Sequence, residues 1–145
     1  MAKRHMVFLY GTLKSGQPNF RVLSDPKTGA AKLLGNGLTV KRYPMVITPQ
    51  YLFPFLLPVE GKGEHIEGEV YEVNEVKLKR LDEFEGHPDF YVREQVPIAF
   101  TRCKNHSPVS VTETLDCWVY FLPQYEPVMI ELPYLKNYSF TAEDK

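Results

Sequence analysis

Residues 65–86, "HIEGEVYEVNEVKLKRLDEFEG", restrict the fold more than any other stretch of the chain. The first half alternates. Ile66, Gly68 and Val70 share one phase and Glu67, Glu69 and Tyr71 the other, the pattern of a half-buried strand. At Asn74 the period changes. Asn74 is a good N-cap, and Glu75 falls in the first turn, where the helix dipole favours a negative charge. Leu78, Leu81 and Phe84 then recur every third position as an apolar stripe, and Gly86 followed by Pro88 stops the helix. A strand running straight into a helix whose stripe must be covered needs a sheet to fold back on.

The other segments supply that sheet. "MVFLY" (6–10) reads as a buried strand and "GTLKSGQP" as a loop. Asn19 caps a short helix, "FRVLSD", that ends by Pro26. The Asn36-Gly37 pair between apolar runs signals a hairpin or a bulge. "YPMVIT" and "YLFPFLLPV" read as short strands interrupted by prolines. Residues 91–100 alternate again, 109–122 read as a long strand with "KNHSP" as the turn before it, and the tail from Pro123 lacks a period and is expected to wrap the surface. Six or more strands, two short helices and no strand–helix–strand rhythm argue against a doubly wound parallel sheet. They predict an α+β fold: one domain over 1–145, with a small, mostly antiparallel, barrel-like sheet and two short flanking helices.

Composition narrows the functions. A chain of 145 residues, 43% hydrophobic, supports one sizeable core. A formal charge of −1 gives no footprint for nucleic acid or an anionic membrane. The longest apolar stretch, 51–59, contains two prolines and falls far short of the ~20 residues of a span. "MVFLY" is too short for a signal sequence. Cys103 and Cys117, on neighbouring predicted strands, read as two buried thiols rather than a staple. The expectation is a cytoplasmic protein. His5, His65, His87 and His106 lack metal-ligand spacing, and "GKGEHIEG" (61–68) lacks the Gly-Lys-Ser/Thr of a phosphate loop, so neither metal nor cofactor is expected.

One acid stands out. At about 100° per residue, Glu83 points away from the helix stripe and Asp82 lies at its margin. Glu85 follows Leu81 by four residues and Leu78 by seven, so it faces the protein. Desolvation and the negative end of the helix dipole both raise the pKa of such a carboxyl, which suits a group that takes a proton and returns it. The alternative is a structural ion pair, with Arg93 as a candidate cation.

"VFLYGTLKSGQPN", followed by "GEVY" and then "RLDEFEGHPDFYVRE", resembles the gamma-glutamylcyclotransferase superfamily, and within it the branch acting on gamma-glutamyl amines. The resemblance spans most of the chain and is weaker over 101–116 and in the tail. It implies a small β-barrel with flanking helices and an enzyme of the lyase type. Gamma-glutamyl amines, notably gamma-glutamyl-epsilon-lysine from degraded transglutaminase crosslinks, would be cyclised to 5-oxoproline with release of the amine. It implies Glu85 as the acid/base residue and Tyr10, Gly11, Thr12 and Leu13 as the loop that holds the glutamyl part. Tyr91 is a candidate pocket wall or hydroxyl donor. Tyr138 is a candidate for closing the pocket, and Asn19 for touching substrate instead of capping a helix. The partner expected is this small molecule, with the protein a monomer. Two alternatives stay open: a cyclotransferase for ordinary gamma-glutamyl amino acids, and a non-catalytic binding relative.

Overall fold

The computed structural model describes residues 4–11, 13, 20–47, 54–87, 89–103 and 114–137. In chain order the elements are β1 (Arg4–Leu9), α1 (Phe20–Ser24), β2 (Ala31–Tyr43), β3 (Met45–Val46), β4 (Phe55–Leu56), β5 (Glu64–Asn74), α2 (Glu75–Glu85), β6 (Val92–Cys103) and β7 (Thr114–Phe121). Short 3₁₀ turns follow α1 and β7, at Pro26–Thr28 and Pro127–Glu131. Five strands close into a barrel in the order β1-β5-β2-β6-β7, and β3 and β4 pair separately. The seam that closes the barrel is parallel, at Val7↔Trp118, while the other neighbours are antiparallel.

Closure needs curvature, and β2 supplies it. Its pairing with β5 shifts register between Leu33 and Gly35 and again between Leu38 and Arg42, and its pairing with β6 shifts between Asn36 and Gly37. Each shift bends the strand and adds twist. Asn36-Gly37 is therefore a bulge inside a continuous strand and not a hairpin turn. Among the described residues, the proline-interrupted segments contribute the two residues each of β3 and β4.

The continuous apolar run of β1 has a structural reason: both of its faces are covered. Phe8 and Tyr10 point into the barrel with Ile66, Val70, Ile98, Cys117, Val119 and Phe121. Val7 and Leu9 point outward, where Tyr71, Val73, Leu78, Leu81 and Leu23 pack over them. β5 buries its inward phase through Val70, and then its outward Tyr71 and Val73 as well, once α2 folds back over that end. Cys117 is a buried free thiol whose cross-strand partner is Val96, away from the end of β6 that carries Cys103.

α2 begins and ends where the sequence predicts. The Asn74 side chain accepts from Lys77 N–H at 2.9 Å and also from Ala30 N–H at 3.1 Å, which ties the helix start to the entry of β2. Gly86 takes the left-handed conformation (φ 71°) that closes helices, and His87 N–H reaches back to the Asp82 carbonyl at 2.9 Å. Lys77 was not anticipated in the core. It lies four residues before Leu81, on the same inward face, and is 0% exposed. Its ammonium donates to the carbonyls of Val22 and Asp25 and to the Thr28 hydroxyl, at 3.0, 2.9 and 2.8 Å. All three of its hydrogens are used, and α1 with its following turn is thereby locked to α2. The tail crosses the barrel and is anchored by Leu135 N–H to Met45 O and by Glu67 N–H to Lys136 O, each at 2.8 Å. No helix among the described residues is long and apolar enough to cross a membrane.

Candidate active site

A cavity of about 220 Å³ opens where β1 runs out beneath the last turn of α2. This is below the roughly 300–1,000 Å³ of a drug-sized site and suits an amino-acid-sized group. The two segments singled out in the sequence meet here. Tyr10, Gly11 and Leu13 line one side, and Glu85 and Tyr91 the other. Thr12, Asn19 and Tyr138 lie outside the described residues. Gly11 serves close packing as well: a Cβ there would come within 3.2 Å of the Pro54 ring, which forms another part of the wall.

Glu85 is half-buried, as its place in the stripe requires. Burial pushes its carboxyl from 4.5 up to about 7. The expected competitor for it, Arg93, is engaged elsewhere: its Nε–H donates to Asp82 Oδ1 at 2.8 Å. No cation among the described residues pairs with Glu85, and so none of them offsets its desolvation.

Three tyrosines surround this carboxyl. Tyr91 and Tyr10 were anticipated; Tyr120 was not. Burial raises all three hydroxyls, and the Glu85 charge adds to the effect in each case. For Tyr120 a hydrogen bond to Asp82 ranks ahead of that charge. The Tyr10 hydroxyl donates to the Tyr120 carbonyl at 2.6 Å, and the Tyr120 hydroxyl to Asp82 Oδ1 at 2.7 Å. Among the described residues, the Tyr91 hydroxyl makes one long contact, 3.5 Å, to the Pro54 carbonyl. Tyr120 belongs to the outward phase of β7, and alternation could have assigned it that phase. Only barrel closure brings β7 beside β1.

The mouth is apolar. Phe84 and Phe90 line it, and Phe90 is 51% exposed although its ring meets Tyr91 edge-on with centroids 5.0 Å apart. Among the described residues no three His, Cys, Asp or Glu side chains cluster as metal ligands would. What the cavity holds is a carboxyl that burial raises to about 7, with phenolic oxygens around it.

Comparison with known proteins gives a consistent result. A family model described as gamma-glutamyl cyclotransferase, AIG2-like, matches residues 7–139. A gamma-glutamylaminecyclotransferase of Bos taurus is 44% identical over 133 residues, which is 92% of this chain and 74% of that protein. The gamma-glutamylaminecyclotransferase of Homo sapiens is 38% identical over 136 residues, 92% of this chain and 89% of that one. A crystal structure of an aig2-like protein from Mus musculus superposes with a TM-score of 0.86 at 37% identity, covering 94% of this chain and 88% of its own.

Proposed function

The chain belongs to the gamma-glutamyl cyclotransferase, AIG2-like, family and is a cyclotransferase, and from that premise we propose that it converts gamma-glutamyl-epsilon-lysine to 5-oxoproline and lysine with Glu85 carrying the protons. The observation that supports this most is a half-buried carboxyl held at about 7 inside a cavity of amino-acid size.

The substrate brings its own nucleophile. Its α-amine attacks the side-chain amide carbonyl, a new C–N bond closes the five-membered lactam, and the old C–N bond breaks. Two protons must leave the α-nitrogen and two must reach the departing amine. A carboxylate of ordinary acidity is a poor base for an ammonium. One poised near 7 takes the proton more readily and still returns it to the leaving nitrogen. Glu85 serves both transfers in turn. The walls formed by Leu13, Tyr91 and Tyr120 hold the glutamyl chain folded, so that attack is intramolecular and most of the orientational entropy is lost on binding. Backbone N–H groups of the loop from Gly11 to Leu13 are the candidate donors to the oxyanion.

The mouth favours an amine with an apolar stem. An epsilon-lysyl group lays its methylenes along Phe84 and Phe90 and carries its own charges out to water. An alpha-linked amino acid would place a carboxylate beside the apolar rim and Glu85, and no cation among the described lining residues would meet it.

The test follows 5-oxoproline released from gamma-glutamyl-epsilon-lysine and, separately, from gamma-glutamyl-alanine. Release is expected from the first and little from the second. Glu85→Gln should fold and lose about 10²–10⁴ in turnover, the usual range for a general acid/base. Glu83→Gln alters an exposed carboxylate on the opposite face and should behave as the parent. Near-parental turnover by Glu85→Gln would remove Glu85 from the mechanism.

A further inference from the structure

Asp82 lies almost one turn before Glu85 on α2, and its Oδ1 is used twice. It accepts the Tyr120 hydroxyl at 2.7 Å and the Arg93 Nε–H at 2.8 Å. Arg93 is itself seated over the Trp118 ring, 4.2 Å from the centroid. The Asp82 and Arg93 side chains are only 19% and 20% exposed, so water competes weakly for these bonds. The arrangement fixes the end of α2 against β6 and β7 and sets which way the Tyr120 hydroxyl points.

That direction has a chemical consequence. A phenol has one hydrogen to give, and an ionised carboxylate can only accept. With its hydrogen committed to Asp82, the Tyr120 oxygen has only lone pairs left to offer. The same holds for Tyr10, whose hydrogen goes to the Tyr120 carbonyl at 2.6 Å. Both residues line the cavity that contains Glu85. Two acceptor-only phenolic oxygens beside a carboxylate suit a group that brings several N–H donors and no lone pair. They do not suit an oxyanion.

We propose that Asp82 is a positioning residue: by taking the Tyr120 hydroxyl hydrogen it makes the Tyr120 oxygen an acceptor for the α-ammonium of the substrate, beside Glu85. This rests on the reading of the substrate as a gamma-glutamyl compound. An ammonium has three N–H bonds to satisfy. Glu85 removes one proton, and the Tyr120 and Tyr10 oxygens hold the N–H groups that remain, so the amine stays in place once it has become a neutral nucleophile. Tyr120 is then excluded as an oxyanion donor. Tyr91, whose hydrogen among the described residues meets the Pro54 carbonyl at a long 3.5 Å, is the tyrosine left to donate.

The experiment measures binding by calorimetry in a Glu85→Gln background, where turnover does not interfere. The two ligands are gamma-glutamyl-epsilon-lysine and glutaryl-epsilon-lysine, which lacks only the α-amino group. The background protein should prefer the first by about tenfold or more, as expected for a charge-assisted bond. Tyr120→Phe should bring the two affinities together by weakening the first alone. Asp82→Ala keeps the Tyr120 oxygen but frees its hydrogen, and should also abolish the preference. Asp82→Asn retains an acceptor oxygen and should recover most of it. A simple loss of fold would weaken both ligands equally. Equal weakening by Tyr120→Phe, or an intact preference in Asp82→Ala, overturns the proposal. Failure of the background protein to bind either ligand overturns the gamma-glutamyl reading beneath it, and the proposal with it.

Discussion

Glu85→Gln, made for its effect on turnover, also reads what the site costs the fold. In the unfolded chain the carboxyl titrates near 4.5, and in the folded protein burial holds it at about 7. Below about pH 4.5 it is protonated in both states and the burial of charge costs nothing. Between 4.5 and 7 the unfolded chain gives up the proton first, so stability falls as pH rises, and above about 7 the loss is complete. At about 1.4 kcal/mol for each tenfold change in proton affinity, the separation amounts to about 3 kcal/mol. Water entering the open cavity lowers this, and about 1–3 kcal/mol is the range to expect. Glutamine carries no charge at any of these pH values. The stability of the variant relative to the parent should therefore climb by that amount between about pH 4 and pH 8.5, with the variant the more stable protein at the alkaline end. For a chain of this size it corresponds to a rise in Tm of a few degrees or more. Urea titrations of both proteins at constant ionic strength across this range measure the difference, and any constant packing offset cancels in its slope. A difference that stays flat with pH would show that Glu85 is not desolvated and so not tuned for the proton transfers assigned to it.

Two further changes test the scaffold that positions the site. Lys77→Met strands the Val22 and Asp25 carbonyls and the Thr28 hydroxyl beneath α1. At about 1–3 kcal/mol for each stranded group, less the desolvation of the ammonium that is no longer required, the net loss should be about 2 kcal/mol in a urea titration. A variant as stable as the parent would mean that the buried charge costs as much as its three bonds return. Gly68→Ala places a Cβ 2.4 Å from the Leu9 carbonyl oxygen and 2.7 Å from Phe8 Cζ. β1 must then move just before Tyr10, so a loss of about 1–3 kcal/mol should accompany slower release of 5-oxoproline, and parental rates would show that the end of β1 need not be held closely.

The amino-acid sequence alone determined α2 and the orientation of its acids. An N-cap, a three-residue apolar recurrence and a glycine stop are local signals, and Asn74, Leu81 and Gly86 act in the fold as they read in the sequence. The same periodicity turned Glu85 inward, because the rotation between residues four apart is a property of the helix and needs no neighbour. Alternation likewise fixed the inward phase of β5. It did not fix which strands stand side by side. The closed order β1-β5-β2-β6-β7 depends on pairings between residues as distant as Val7 and Trp118, whose free energy is shared over the whole barrel. Tertiary structure therefore decided that Tyr120 joins the cavity, that Arg93 pairs with Asp82 rather than with Glu85, and that Lys77 lies buried under the carbonyls of a helix more than fifty residues earlier. It also chose between the two readings of Asn36-Gly37, hairpin or bulge, for the same reason: a two-residue preference for a turn yields to the curvature that closing the sheet demands.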